Sequence, residues 1–435
     1  MHHPIVGQRS RRSTITAEFP APTARQVEAE LAHPLVWGLV RRTVTATCPD
    51  RHDLALPARP MRTHHYRYLR DRYLTHPDVL AALGDRHREL AVGQARSLGL
   101  LDPDGPGSYT HPHLSRMLYA DGKVITPLFK AHPDDRRLDK TTGELRTPRH
   151  EPDGHLHFQG DGNTAYGIKF AIVAVRTPDH RGRIIIDTAW VPTPGGEAAT
   201  AMACFTRLAP LAPGAQGVIY DTALRGTHHQ RLLRDLGLLP VNRVTAAKAG
   251  ATTPRRTDGR RQEKSVHVED KTITTPDGTP HTLRLYAKGG ALGIGELTDT
   301  GTLTFTPLPR VRTHRNADKT GRYRWYNDYQ LPQRYGAGTL TVRLHTNDAD
   351  RARKLNRTEY LRPIPASDPD FARLYPRRND AESINRDLDD TLYLRRAHSV
   401  GHARQHLNLL GYALIVNAVA LHRHAKRRTP DRHAA

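Results

Sequence analysis

Two spacings of apolar residues alternate along the chain. From 76 to 101, "HPDVLAALGDRHRELAVGQARSLGLL" places them at helical intervals and stops at glycine, which predicts a helix. An earlier helix is predicted at "TARQVEAELAH" (23–33), which begins at a threonine cap candidate. Between them, "RTHHYRYLRDRY" (62–73) alternates arginines with tyrosines. That mixture suits a solvated amphipathic helix that packs its tyrosines, and equally a surface that follows a phosphate backbone. Residues 102–154 are rich in Pro, Gly, Asp and His and read as a linker, with one ordered segment near "SRMLYADGKVITPLF".

The period then changes. "HLHFQGD" (155–161) reads as a strand ending in Asp161. "KFAIVAVR" (169–176) and "RIIIDTAWV" (183–191) are β-rich runs separated by a turn signal. "GGEAATAMACFTRLAPL" (195–211) predicts a helix, "GVIYD" (217–221) a short buried strand ending in Asp221, "GTHHQRLLRDLG" (226–237) a second helix, and "LLPVNRV" (238–244) another strand. After the basic loop "ATTPRRTDGRRQEK", period-two segments such as "HTLRLYAK", "RYRWYNDY" and "TLTVRLHT" predict an antiparallel β unit within 245–365. From 366 the pattern returns to helix, at 379–396 and 402–425, and a basic tail closes the chain.

Charge narrows the partner. Lysine and arginine total 66 against 44 acidic residues, a formal excess of +22 over 435 residues. Such a field favours a polyanion, with nucleic acid first; a composition biased towards Arg, His, Pro and Ala would produce the same excess. The two cysteines, Cys48 and Cys204, form no C-x2-C pair, so neither a zinc finger nor a disulfide framework is expected, which suits a reducing cytoplasm. No signal peptide is read at the N-terminus. The apolar run at 410–421 is too short to span a bilayer and reads as a buried helix, so no membrane association is expected.

Three carboxylates stand at suggestive places: Asp161 and Asp221 at strand ends, and Glu382 at the start of a helix. If the two strands pair in parallel through a right-handed crossover, the aspartates lie side by side and a packed helix brings Glu382 to them. Such a trio can hold two divalent cations for phosphodiester chemistry, magnesium or manganese being suited to oxygen ligands. Each residue also has a plainer reading: Asp161 as turn chemistry before Gly162, Asp221 as a helix cap, and Glu382 as a first-turn acid. Asp187, within a strand, is read as structural or solvent-facing. His155 and His157 share one strand face, but composition explains them better than a metal does.

The stretch "YPRRNDAESINRDL" sets Tyr375, Arg378 and Glu382 in a Y-x2-R-x3-E spacing. With "QGDGNTAYGIKF" and "GVIYDTALRG", it resembles the DDE transposases of bacterial insertion sequences, in the group with a tyrosine–arginine–glutamate–lysine signature. The resemblance covers roughly 155–425. It implies an α/β, ribonuclease H-like catalytic domain in two parts (155–244 and 366–425), split by a β-rich insertion (245–365). The remaining regions are a helical DNA-binding region (1–105), a linker (106–154) and a basic tail (426–435). It implies that Asp161, Asp221 and Glu382 bind two Mg2+ or Mn2+ ions and that Tyr375 and Arg378 contact DNA. It further implies that Trp325 stacks a base extruded from the element end, with a half-buried strand tryptophan as the plainer reading. The partner is then double-stranded DNA, and the assembly on it a homodimer. The family's lysine is Asp389 here. Arg386, one turn beyond Glu382, is the expected substitute cation, steered by Asp389. Two other readings stay open: a DNA-binding relic with a decayed site, and a ribonuclease H-like nuclease without strand transfer.

Overall fold

The computed structural model describes residues 28–29, 31–47, 56–60, 62–158, 163–244, 263–393 and 395–428. Helices α1 (Pro34–Thr47), α2 (Thr63–Leu69) and α3 (Pro77–Ser97) come first, and α2 runs on as a π-helical turn, Arg70–Leu74. Then follow β1 (Met117–Ile125), the two-residue strands β2 (Arg137–Leu138) and β3 (Leu145–Arg146), β4 (His155–Phe158), β5 (Thr164–Arg176) and β6 (Arg183–Val191). Helix α4 (Glu197–Leu211), β7 (Gly217–Ile219), α5 (Gly226–Arg231) and β8 (Leu239–Val241) complete this part.

Six of these strands form a mixed sheet in which β5, β1, β7 and β8 are successive neighbours, with β6 and β4 paired to β5, while β2 and β3 pair with each other. β1 runs antiparallel to β5 and parallel to β7, with Tyr119 opposite Ile219. The alternation of β1 is what makes it central. Leu118 and Ala120 turn to a core shared with α3 and α4, while Met117, Tyr119 and Ile125 turn to a second core on the opposite face. The central strand therefore lies inside the stretch that reads as a linker in sequence. The reason is local: Asp121-Gly122 is a strong turn signal, yet here it is mid-strand. Gly122 leaves room for the ends of two side chains: a Cβ there would stand 2.5 Å from Glu197 Cδ and 2.6 Å from Lys169 Cε, and both would have to shift. The expected parallel neighbour of the Asp221 strand is displaced in turn. β4 pairs antiparallel with β5, and β5 and β1 lie between it and β7.

Helix α3 also belongs to this body. Its buried Arg88 donates to Asp187 on β6 at 3.1 Å, and Arg207 of α4 donates to the other oxygen at 3.0 Å. Asp187 is thus structural and buried rather than solvent-facing.

Strands β9 (Val266–Thr274), β10 (Pro280–Lys288), β11 (Ala291–Leu297) and β12 (Leu303–Pro307) form a four-stranded antiparallel sheet. β13 (Arg310–Ala317), β14 (Tyr323–Gln330) and β15 (Thr339–Arg343) form a three-stranded one. A third core, around Leu285, Trp325 and Val342, joins them to Leu233 and Leu239. Short helices α6 (Asp348–Ala352), α7 (Arg357–Tyr360) and α8 (Pro369–Leu374) lead to α9 (Arg378–Asp387) and the long α10 (His402–Arg428). α8 and α9 pack Phe371, Leu374, Ala381 and Ile384 against the second face of the mixed sheet. α10 is pinned to β6 by Asn417, whose amide bonds Ile185 N at 2.8 Å and Ile185 O at 2.9 Å. Among the described residues no helix is long and apolar enough to cross a membrane.

Candidate active site

The β1–β7 register carries the site. Two residues beyond the Tyr119–Ile219 pair stand Asp121 and Asp221, on neighbouring parallel strand paths about 4.8 Å apart. Both face α9. Burial, then the charges of Glu197 and Asp221, push Asp121 up to about 7. Burial also raises Asp221, helped by Glu197, although the Ala223 amide donates to Oδ1 at 2.8 Å. Neither aspartate has an ion-pair partner among the described residues. Asp161, the expected first carboxylate, lies outside the described residues. Asp121 was missed because its D-G-K context imitates a turn; the signal that could have found it was the apolar alternation either side.

Helix α9 is bolted over this pair by acids that are not part of it. Asp380 accepts from Arg176 of β5 at 2.5 Å, and Asp387 from Arg183 of β6 at 2.7 Å. Those two contacts give the acids at the start and the end of this helix a structural use. The anchoring aims Asn385 at the site, and its Nδ2 donates to Asp121 Oδ2 at 2.8 Å. Asn385 Oδ1 is buried without a partner, as is Arg378 Nε. Glu382 is exposed and accepts from Arg378 at 2.6 Å. The guanidinium of Arg378 lowers both aspartates, so it lies within electrostatic reach of the pair. Tyr375 is half-buried, stacked on Phe371 at 4.6 Å, with Arg243 of the segment after β8 lying 5.5 Å from its ring centre. Arg243, exposed at this edge, was missed because a lone arginine after a short strand carries no sequence signal.

The donors suit a hard cation only in part. Two half-buried carboxylates without ion-pair partners among the described residues, and an unpaired amide oxygen, are oxygen ligands. Among the described residues, however, no three His, Cys, Asp or Glu side chains gather closely enough to enclose a metal ion. Asp121 and Asp221 form a pair, and Glu382 is held aside by Arg378.

Trp325 corrects an expectation. It is fully buried, its indole N–H donates to Leu233 O at 2.7 Å, and Tyr109 packs edge-on at 5.0 Å. No face remains for a base, because the ring fills the joint between β14 and the segment after α5. Asp389 is a second correction. It pairs with Lys123 of β1 rather than steering Arg386, which is exposed and without an ion-pair partner among the described residues. Lys123 shares the strand face of Asp121, two residues on. The sheet, and not the helix, therefore supplies the cation that Asp389 meets. If the chain binds DNA, as its charge leads us to expect, Lys123→Met should lower the salt slope of that binding by about one. Binding isotherms at several salt concentrations check this, and an unchanged slope makes the Lys123–Asp389 pair purely structural.

In comparisons with known proteins, no family model matches the chain and no curated protein matches it, so the site's meaning rests on its own residues.

Proposed function

We propose that this protein is a metal-dependent DNA transposase of the DDE type. In this reading the mixed sheet with α4, α9 and α10 is a ribonuclease H-like catalytic domain and the 245–365 block an insertion in it. The observation that carries it is the half-buried pair of Asp121 on β1 and Asp221 just beyond the end of the parallel neighbour β7, with Glu382 and Arg378 on an anchored helix nearby. Asp121 takes the place expected for Asp161. The formal excess of +22 supports a nucleic-acid partner; a cytoplasmic location and a homodimer on the DNA belong to the same proposal.

Asp121 and Asp221 would hold Mg2+ or Mn2+, joined by Glu382 once DNA phosphate draws Arg378 away. Bound there, the metal would supply Lewis-acid polarisation of the scissile phosphate and an activated water or 3′ hydroxyl. The chain's residues do the positioning. Arg378, with an unpaired Nε, binds a non-bridging phosphate oxygen. Arg243 and Tyr375 grip the neighbouring backbone, Arg386 adds an exposed cation, and Asn385 fixes the Asp121 carboxylate. The test is Mg2+-dependent nicking of duplex carrying the element end, followed by joining of the freed 3′ hydroxyl to target DNA. Cleavage without joining selects the nuclease reading. No cleavage selects the decayed relic, which the isolation of Glu382 from the pair favours.

The raised Asp121 adds a pH dependence. Its proton competes with a cation, so Mn2+ binding should weaken as pH falls through about 7 and level off above it. Calorimetric titration at several pH values checks this. A flat profile would remove Asp121 from the cation site.

A further inference from the structure

On the face of the sheet turned away from α9, one side chain touches both strands that carry the aspartates. Glu197, in the first turn of α4, accepts the Tyr220 hydroxyl at 2.7 Å, and Tyr220 directly precedes Asp221. Its carboxyl also lies against Gly122, which directly follows Asp121: a Cβ there would meet Glu197 Oε2 at 2.6 Å. Lys169 of β5 pairs with that same Oε2. Tyr220 is fully buried, and the Glu197 and Lys169 side chains are each 15% exposed. Three neighbouring strands, β5, β1 and β7, thus meet on one carboxylate behind the site. Nothing in the proposed chemistry uses it, yet it contacts the chain neighbour of each aspartate, Tyr220 before Asp221 and Gly122 after Asp121.

We propose that Glu197 is a positioning residue: it braces β1 against β7 behind Asp121 and Asp221 and supplies a fixed negative charge that strengthens divalent-cation binding there, with Lys169 as its counter-charge. This rests on the reading of Asp121 and Asp221 as cation ligands. A charge in a poorly solvated interior acts through the sheet without touching the ion, and partners behind the direct ligands tune metal affinity. Glu197 and Lys169 must then act with opposite sign.

The experiment is Mn2+ titration of the full-length protein without DNA, read by electron paramagnetic resonance of the free ion, alongside thermal melting. Glu197→Gln keeps an oxygen for Tyr220 and removes the charge. It should weaken binding about tenfold, with little change in melting. Lys169→Met should tighten binding several-fold, which a damaged fold cannot do. The double variant should return towards wild type. Tyr220→Phe, which keeps the charge and loses the brace, should weaken binding less than Glu197→Gln. Asp121→Asn separates the layers. If it leaves Mn2+ binding intact, the cation-site reading fails. If it abolishes binding while Glu197→Gln and Lys169→Met both match wild type, or both weaken it, the role given to Glu197 is overturned.

Discussion

Asp121→Asn is expected, on the proposed function, to abolish Mg2+-dependent end cleavage, with a rate loss of at least about a thousandfold, or roughly 4 kcal/mol of transition-state stabilisation. Asp221→Asn should do the same, because both residues stand two positions beyond the last β1–β7 register pair, Tyr119–Ile219. Asp161→Asn should leave cleavage within a few-fold. DNA affinity should hold within a few-fold in all three, since phosphate contacts supply most of it. Folding is not expected to confound the result. The carboxyl of Asp121 is raised to about 7 in the fold, so above its ordinary range its burial works against stability. A neutral amide removes that cost, and the melting temperature should hold or rise. Gel-shift binding and single-turnover cleavage on the same DNA provide the measurement. Full cleavage by Asp121→Asn would falsify the assignment, and loss of cleavage in Asp161→Asn alone would return the first carboxylate to Asp161.

The second large effect is on stability. Trp325→Ala should lower the unfolding free energy by about 3–5 kcal/mol, the usual cost of deleting a buried large aromatic. The indole is wholly enclosed, its N–H satisfies Leu233 O at 2.7 Å, and removing it leaves that carbonyl buried without its donor. The loss should appear in urea unfolding as an earlier midpoint. Trp325→Phe should recover the packing and not the hydrogen bond, so its loss should be smaller. A base-stacking role makes the contrary prediction: unchanged stability, with a defect in 2-aminopurine fluorescence at the element end. That outcome would sink the structural role.

These two residues mark where the sequence was legible and where it was not. Elements with one clear period were readable: α3, β5, β6, α4 and α10 fall within a few residues of their apolar patterns. Asp221 was readable as the end of a short buried strand. The Arg378–Glu382 pair followed from helical spacing, and the contact is 2.6 Å. All of this depends on residues close in sequence.

Tertiary structure decided the rest. Asp121-Gly122 and Asp161-Gly162 are the same dipeptide, and local chemistry assigns both to turns. Only long-range pairing, with β5 on one side and β7 on the other, turns the first into the middle of a central strand. Its glycine lies against the ends of Glu197 and Lys169, 75 and 47 residues onward. Asp389 looked like a lost lysine because a helix position reveals nothing about the strand beneath it, where Lys123 waits. Period, caps and charge are written along the chain. Which carboxylates become neighbours depends on sheet order, and sheet order is fixed by burying both faces of β1 at once.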